Sequence, residues 1–150
     1  MNAPPKGWPR VTSTLFYDDP AKAIDWICRA FGFTVRIKVD GPDGSVVHSE
    51  LEYGADGLIM VGQAGNKSGR KVPVPGKSPA SIGGALTQTI FLYVDDIETH
   101  CATARNAGAE IVDEPTTNDY GEEYWSDRSY RAKDPEGHHW WFAQRIRTGK

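Results

Sequence analysis

The stretch VTSTLFYDDPAKAIDWICRAFGF, Val11 to Phe33, passes from strand to helix and back to strand. Val11–Tyr17 alternates and is rich in β-branched and aromatic residues, which reads as a strand. Asp18-Asp19-Pro20 then supplies a capping carboxylate and a proline suited to a first helical turn. Ile24, Ile27, Cys28 and Phe31 recur at helical spacing and form one apolar stripe. Gly32 reads as the helix stop, and a second strand starts at Phe33 and runs to about Val39.

Working outward, the same order returns in QTIFLYVDDIETHCATARNAGAEIV, Gln88 to Val112. Gln88–Val94 alternates, Asp95-Asp96 caps a helix bearing Ile97, Cys101 and Ala104, and Gly108 stops it before a strand over Ala109–Val112. Asp96 follows Asp19 by 77 positions and Gly108 follows Gly32 by 76, a spacing that identifies an internal repeat. The remaining halves correspond as well. Ser45–Tyr53, the turn Gly54–Gly57 and Leu58–Gly62 match Arg128–Lys133, the turn Asp134–Gly137 and His138–Ala143. Gly57 to Gly137 is 80 positions, so the second copy holds an insertion, assigned to Glu122–Asp127.

The expected organisation is an N-terminal tail over 1–10, a first module over 11–62 and an inter-module loop over 63–86. A second module spans 87–145, and 146–150 form a C-terminal tail. Each module is strand, helix, then three strands. The loop is rich in Gly, Pro, Ser and Lys. Its Gly65-Asn66-Lys67-Ser68 lacks the spacing of a phosphate loop. Lys67, Arg70, Lys71 and Lys77 read as a solvated loop, with a clamp on an anionic ligand as the alternative.

A chain of 150 residues with 39% hydrophobic and 25% charged residues suits a globular fold. A formal net charge of −3 favours neither nucleic acid nor an anionic membrane as partner. No apolar run approaches the ~20 residues of a membrane helix. Met1–Arg10, with Pro4, Pro5 and Pro9, lacks the apolar segment of a secretory signal. A cytoplasmic protein with reduced Cys28 and Cys101 is expected.

Several motifs carry a resemblance. Asp19-x-x-x-Ala23-Ile24, Phe31-Gly32-Phe33 and His48-Ser49-Glu50-Leu51 resemble the first module of vicinal oxygen chelate proteins, the glyoxalase, bleomycin-resistance and extradiol dioxygenase group. Tyr93-Val94-Asp95-Asp96, Ala107-Gly108-Ala109, Tyr120-Gly121, Arg128-Ser129-Tyr130 and Asp134-Pro135-Glu136-Gly137-His138 are similar to the second. The resemblance implies an α+β fold. Two βαβββ modules form curved mixed sheets around a cleft, with helices on the outside. It also implies a small-molecule ligand and a homodimer. Members include metal-dependent lyases, isomerases and dioxygenases as well as metal-free drug-sequestering proteins, so fold alone does not choose the activity.

Strand alternation selects the residues that face the cleft. In the two first strands these are Thr12, Thr14 and Phe16, and Thr89, Phe91 and Tyr93. In the third strand Val47, Leu51 and Tyr53 form an apolar set, and His48, Glu50 and Glu52 share the opposite face. In the last strand Trp140 and Phe142 form one set, and His139, Trp141 and Ala143 the other. The resemblance sets metal ligands at Thr12, Val61, Thr89 and Trp141, none of which is a metal-binding residue, so no cofactor is expected. The fallback metal set is His48, Glu50 and His139. His100 is expected at the surface, and His138 as a backbone-bonding turn residue. Trp141, Phe91, Phe16 and Tyr93 have the parity of a stacking wall for an aromatic or cationic compound. The alternative is a lyase, isomerase or dioxygenase-type enzyme in which His48 and Glu50 transfer protons, alone or with a metal also held by His139. The loop over Gln63–Ala85 and the insertion at Glu122–Asp127 are candidate lids.

Overall fold

A computed structural model describes residues 1–65 and 71–150. The chain forms β1 (Ser13–Tyr17), α1 (Pro20–Phe31), β2 (Thr34–Asp40), β3 (Val46–Tyr53) and β4 (Gly57–Gln63). The second copy follows as β5 (Ile90–Tyr93), α2 (Ile97–Asn106), β6 (Glu110–Asp119), β7 (Ser126–Lys133) and β8 (His139–Arg147). The two sheets have equivalent orders, β1-β4-β3-β2 and β5-β8-β7-β6. In each, the first strand runs parallel to the last, and the other pairs are antiparallel. Lys67 and Arg70, two of the loop cations, lie outside the described residues. No helix among the described residues is long and apolar enough to cross a membrane.

The helix ends follow the sequence signals. Asp19 Oδ1 accepts from the Lys22 amide at 3.1 Å, and Gly32 closes α1 at φ 78°, a left-handed conformation that favours glycine. Asp96 caps α2 through the Thr99 amide and hydroxyl at 3.0 and 2.8 Å.

Helix α1 lies over one face of its sheet, where Leu15, Leu51 and Val61 are buried together with Ile24 and Ile27. The two modules share this core rather than each closing its own. Phe31 of α1 packs on Trp140 and Phe142 of β8, with ring centroids 4.9 and 4.8 Å away. The Trp26 indole N–H donates to the Ala107 carbonyl at 2.8 Å. A truncation such as Phe31→Ala therefore costs about 3–5 kcal/mol.

The junction is fastened by the turn Asp134–Gly137. The buried Asp134 carboxylate accepts from the Tyr17 hydroxyl at 2.6 Å and from the Trp140 indole at 3.0 Å. Its other oxygen accepts from the amides of Glu136 and His138. Glu136 then receives the amides of Asp18 and Asp19. One carboxylate thus ties the last hairpin to the first strand. Burial and Asp134 together hold the Tyr17 phenol well above its ordinary range.

Two expectations are corrected here. His100 is not at the surface: its Nε2–H donates to the Phe31 carbonyl at 3.1 Å and its Nδ1 accepts from Tyr130 at 2.7 Å. The other module covers this helix face, a contact that local sequence does not reveal. Glu122–Asp127 is not an insertion that interrupts the module. β6 and β7 pair out to Asp119 and Ser126, so the extra residues lengthen a hairpin, and Ser126 and Asp127 are buried strand residues.

Burial holds the His100 imidazole below its ordinary value of 6.5, with the Phe31 carbonyl acting the other way. The unfolded chain binds this proton more readily. Stability from the neutral ring is therefore present above about 6.5 and is lost as pH falls through the folded value. Thermal melting from neutral pH down toward pH 5 should show a falling midpoint, with a flatter profile for His100→Gln. Parallel profiles for the two proteins would contradict this role.

Candidate functional site

In each sheet the helix covers one face and leaves the other open. On the second sheet, β5 pairs with β8 so that Phe91 lies beside Trp141 and Tyr93 beside Ala143. β7 pairs with β8 so that Arg131 lies beside Trp141 and Lys133 beside His139. Phe91 and Tyr93 are 55% and 47% exposed, and their rings meet edge to face at 5.3 Å. Trp141 is half-buried, whereas Trp140 and Phe142 beneath it are fully buried. Thr89, just before β5, is exposed.

Guanidinium groups lie on these rings. Arg131 sits 5.1 Å from the Trp141 ring centroid. Arg145 sits 5.2 Å from Tyr93 and 5.3 Å from Trp125, which the lengthened hairpin brings to the same face. Arg145 Nε donates to the buried Asp127 at 2.5 Å and also donates to the Tyr93 hydroxyl, which itself donates to Asp127 at 3.1 Å. Sequence reasoning missed Arg131 and Arg145, and placed Trp125 only within the candidate lid Glu122–Asp127. The signal for Arg145 was available, because it lies four residues beyond Trp141 and so has the same strand parity. Burial, with Arg131 and Lys133, holds His139 below its ordinary value.

The first sheet presents Thr14 and Phe16 on β1, Met60 and Gly62 on β4, and His48, Glu50 and Glu52 on β3. Thr12 precedes β1 and is half-buried. Phe16 is not an open stacking surface. A Cβ built on Gly76 would lie 2.4 Å from its ring and one on Gly62 3.1 Å, so two glycine backbones enclose the ring. Gly76 belongs to the inter-module loop, and the part of that loop around Gly76 lies over this sheet. A cavity of about 430 Å³ opens on one side of Phe16, lined by Thr14, Leu86, Gln88 and His138 among others. A second of about 170 Å³ opens on the other side, toward His48 and Met60. His138 donates to the Phe16 carbonyl at 2.7 Å, a backbone bond of the kind expected.

Glu50 is only 2% exposed, though it sits on the open face. His48 Nε2–H donates to its Oε1 at 2.7 Å. Arg36 Nε approaches Oε2 at 3.5 Å, and Trp8 lies over that guanidinium at 5.0 Å. Oε2 accepts no hydrogen bond among the described residues. Glu52 is half-buried and takes a long bond from Thr34 at 3.5 Å.

The structure does not assemble the fallback metal set. His48 lines a cavity on the first sheet, and His139 lines another on the second beside Glu110 and Lys133. Among the described residues, no group of three His, Cys, Asp or Glu could hold an ion. Two parity expectations also shift. Val61 pairs with Leu15 on the helix side and is buried, so Met60, opposite Thr14, is the counterpart of Trp141. Val47 is exposed, whereas Ser49 is buried beside Leu51 on that face and bridges to the Val61 carbonyl and amide at 2.8 and 2.9 Å.

A protein-family model described as Glyoxalase/Bleomycin resistance protein/Dioxygenase superfamily matches residues 10–142. Uncharacterized protein Mb0911c of Mycobacterium bovis is 32% identical over 139 residues, covering 93% of this chain and 85% of the relative. The crystal structure of TioX from Micromonospora sp. ML1 superposes with TM-score 0.67 at 29% identity, covering 91% of this chain and 98% of TioX. TnmS3, an antibiotic binding protein from Streptomyces sp. CB03234, shares the fold with TM-score 0.62 at 19% identity, covering 89% and 93%.

With the register corrected, the positions at which the resemblance sets metal ligands hold Thr12, Met60, Thr89 and Trp141. Two hydroxyls, a thioether and an indole do not fit a divalent ion, which takes imidazoles and carboxylates. What the arrangement offers is aromatic stacking on one sheet and a carboxylate-bound imidazole on the other. For the latter, nitrogen NMR of His48 should find the proton on Nε2, because Nε2 faces Glu50. A proton resident on Nδ1 would contradict the geometry.

Proposed function

As the chain belongs to the glyoxalase/bleomycin resistance protein/dioxygenase superfamily, we propose that it is a metal-free small-molecule binding protein whose ligand is a planar aromatic compound. The observation that carries this reading is the open face of the second sheet. Phe91 and Tyr93 leave ring surface uncovered beside the half-buried Trp141, on strands pinned from beneath by buried Trp140 and Phe142. Stacking on a rigid aromatic wall favours flat organic molecules over flexible ones. An antibiotic-binding protein built on the same fold supports the ligand class by analogy of architecture alone.

A homodimer belongs to this reading. The exposed Phe91 and Tyr93 on one sheet, and Ile37 and Val39 on the other, lie on broad faces that a second copy would cover. Ligand would then lie between the sheets of two subunits. The free thiols of Cys28 and Cys101 suit a reducing cytoplasm.

A second reading is favoured by the 2.7 Å bond between half-exposed His48 and buried Glu50. A carboxylate that fixes an imidazole leaves Nδ1 as a proton acceptor toward the cavity, the arrangement of a general base in a lyase or isomerase. If turnover exists, Glu50→Gln should lower its rate by about two to four orders of magnitude and leave ligand affinity unchanged. Equal loss of both would remove the acid–base role.

The leading reading is tested by tryptophan fluorescence during titration with planar aromatic compounds, charged and uncharged. Quenching that saturates is expected, and Trp141→Ala should abolish it. An unchanged response in that variant would refute the assigned face. Light scattering should return twice the 16.5 kDa chain mass, and a monomer at all concentrations would refute the dimer.

A further inference from the structure

The open face of the second sheet is ordered in columns by charge. β5 and β8 supply Phe91, Tyr93 and Trp141. β7 supplies the cations Arg131 and Lys133. The outer strand β6 supplies Asp113 and Glu110, each paired with the cation beside it. One carboxylate adjoins the aromatic column, Asp127 of β7, but it is buried and engaged by Arg145 and the Tyr93 hydroxyl. Otherwise a molecule stacked on the column meets guanidinium and ammonium groups before it meets a carboxylate.

The rings that would receive a cation already carry one. Arg131 lies over Trp141, and Arg145 lies between Tyr93 and Trp125. A guanidinium resting on an aromatic ring leaves a flat positive surface and planar donors on its outer side. A cationic ligand on this face would meet that charge at close range in a partly desolvated setting.

The two arginines differ in how firmly they are held. Arg145 is bound to buried Asp127 and to the Tyr93 hydroxyl. Arg131 has a single ionic contact, Nε to Asp113 Oδ2 at 2.8 Å, and Asp113 is half in solvent. That contact is poorly directed: the buried Nε lacks a hydrogen bond among the described residues, and the rest of the guanidinium makes none there either. Because its carboxylate partner is half in solvent and the contact is poorly directed, this pair contributes little to stability, and the guanidinium can exchange its partner at small cost. The nearby His139 Nδ1 is likewise buried without a partner among the described residues.

We propose that this face selects a planar aromatic anion, a ring system bearing a carboxylate, sulfonate or phenolate, which stacks at Trp141 and places its charged group on Arg131. The inference rests on the binding function proposed above and adds the charge class of the ligand. It replaces a cationic compound with an anionic one, because the protein's own guanidinium groups already place positive charge beside the rings on which a cation would rest.

The test uses two probes with one ring system and opposite charge, naphthalenesulfonate and naphthyltrimethylammonium, titrated into the full chain by calorimetry. The sulfonate should bind roughly tenfold tighter or better, the size of one charge-assisted hydrogen bond. Arg131→Gln should erase the preference by weakening the sulfonate alone. Asp113→Asn frees the guanidinium from its exposed partner and should strengthen sulfonate binding, a readout that survives if the Arg131 variant does not fold. Equal or tighter binding of the ammonium probe, or no change in sulfonate affinity in Asp113→Asn, overturns the inference and leaves the aromatic binding face standing. Binding of neither probe overturns both.

Discussion

The register of β8 is the constraint on which the rest depends. Trp140 and Phe142 are fully buried against Phe31, and Trp140 also donates to Asp134. A slip of one residue would carry both rings to the open face and force His139, Trp141 and Arg145 into the shared core. The cost of such an exchange, several kcal/mol for each large apolar side chain, fixes the parity of the whole strand. Once β8 is fixed, pairing with β5 brings Phe91 to Trp141, and pairing with β7 brings Arg131 to it. The ligand face is thus a consequence of the core beneath it.

The two modules repeat one architecture but present different chemistry. The second sheet displays rings and guanidinium groups with little covering them. The first has its one central ring, Phe16, enclosed by Gly62 and Gly76, and it carries a buried carboxylate that holds an imidazole. Such divergence between copies is what allows a duplicated fold to offer two kinds of contact across one cleft.

Much of this was legible in the sequence, and the failures have physical causes. Capping aspartates, stop glycines and the repeat spacing located both helices and all eight strands, because those signals are local. Trp141 was assigned to the open face from the alternation of β8 alone. Val61 was misassigned because the two hairpin turns differ in length: Gly57 is itself the first residue of β4, whereas Gly137 precedes β8 by two positions. His100 was misread because the face of α2 that bears it is covered by Phe31 of the other module, about 70 residues away in sequence, and local patterning carries no trace of such a contact. The long β6–β7 hairpin was hidden because Thr116–Asp119 is polar on both faces and alternation gives no signal there. Arg131 and Arg145 share the parity of Trp141 and could have been found by extending the same count.

The most direct test of the account is the indole N–H spectrum of the five tryptophans while naphthalenesulfonate is added. Trp141 should shift strongly and Trp125 to a lesser degree, while Trp140 and Trp26 stay in place. Movement of Trp140 with Trp141 unperturbed would mean that β8 shows its other face to the ligand, and the account would be wrong at its root.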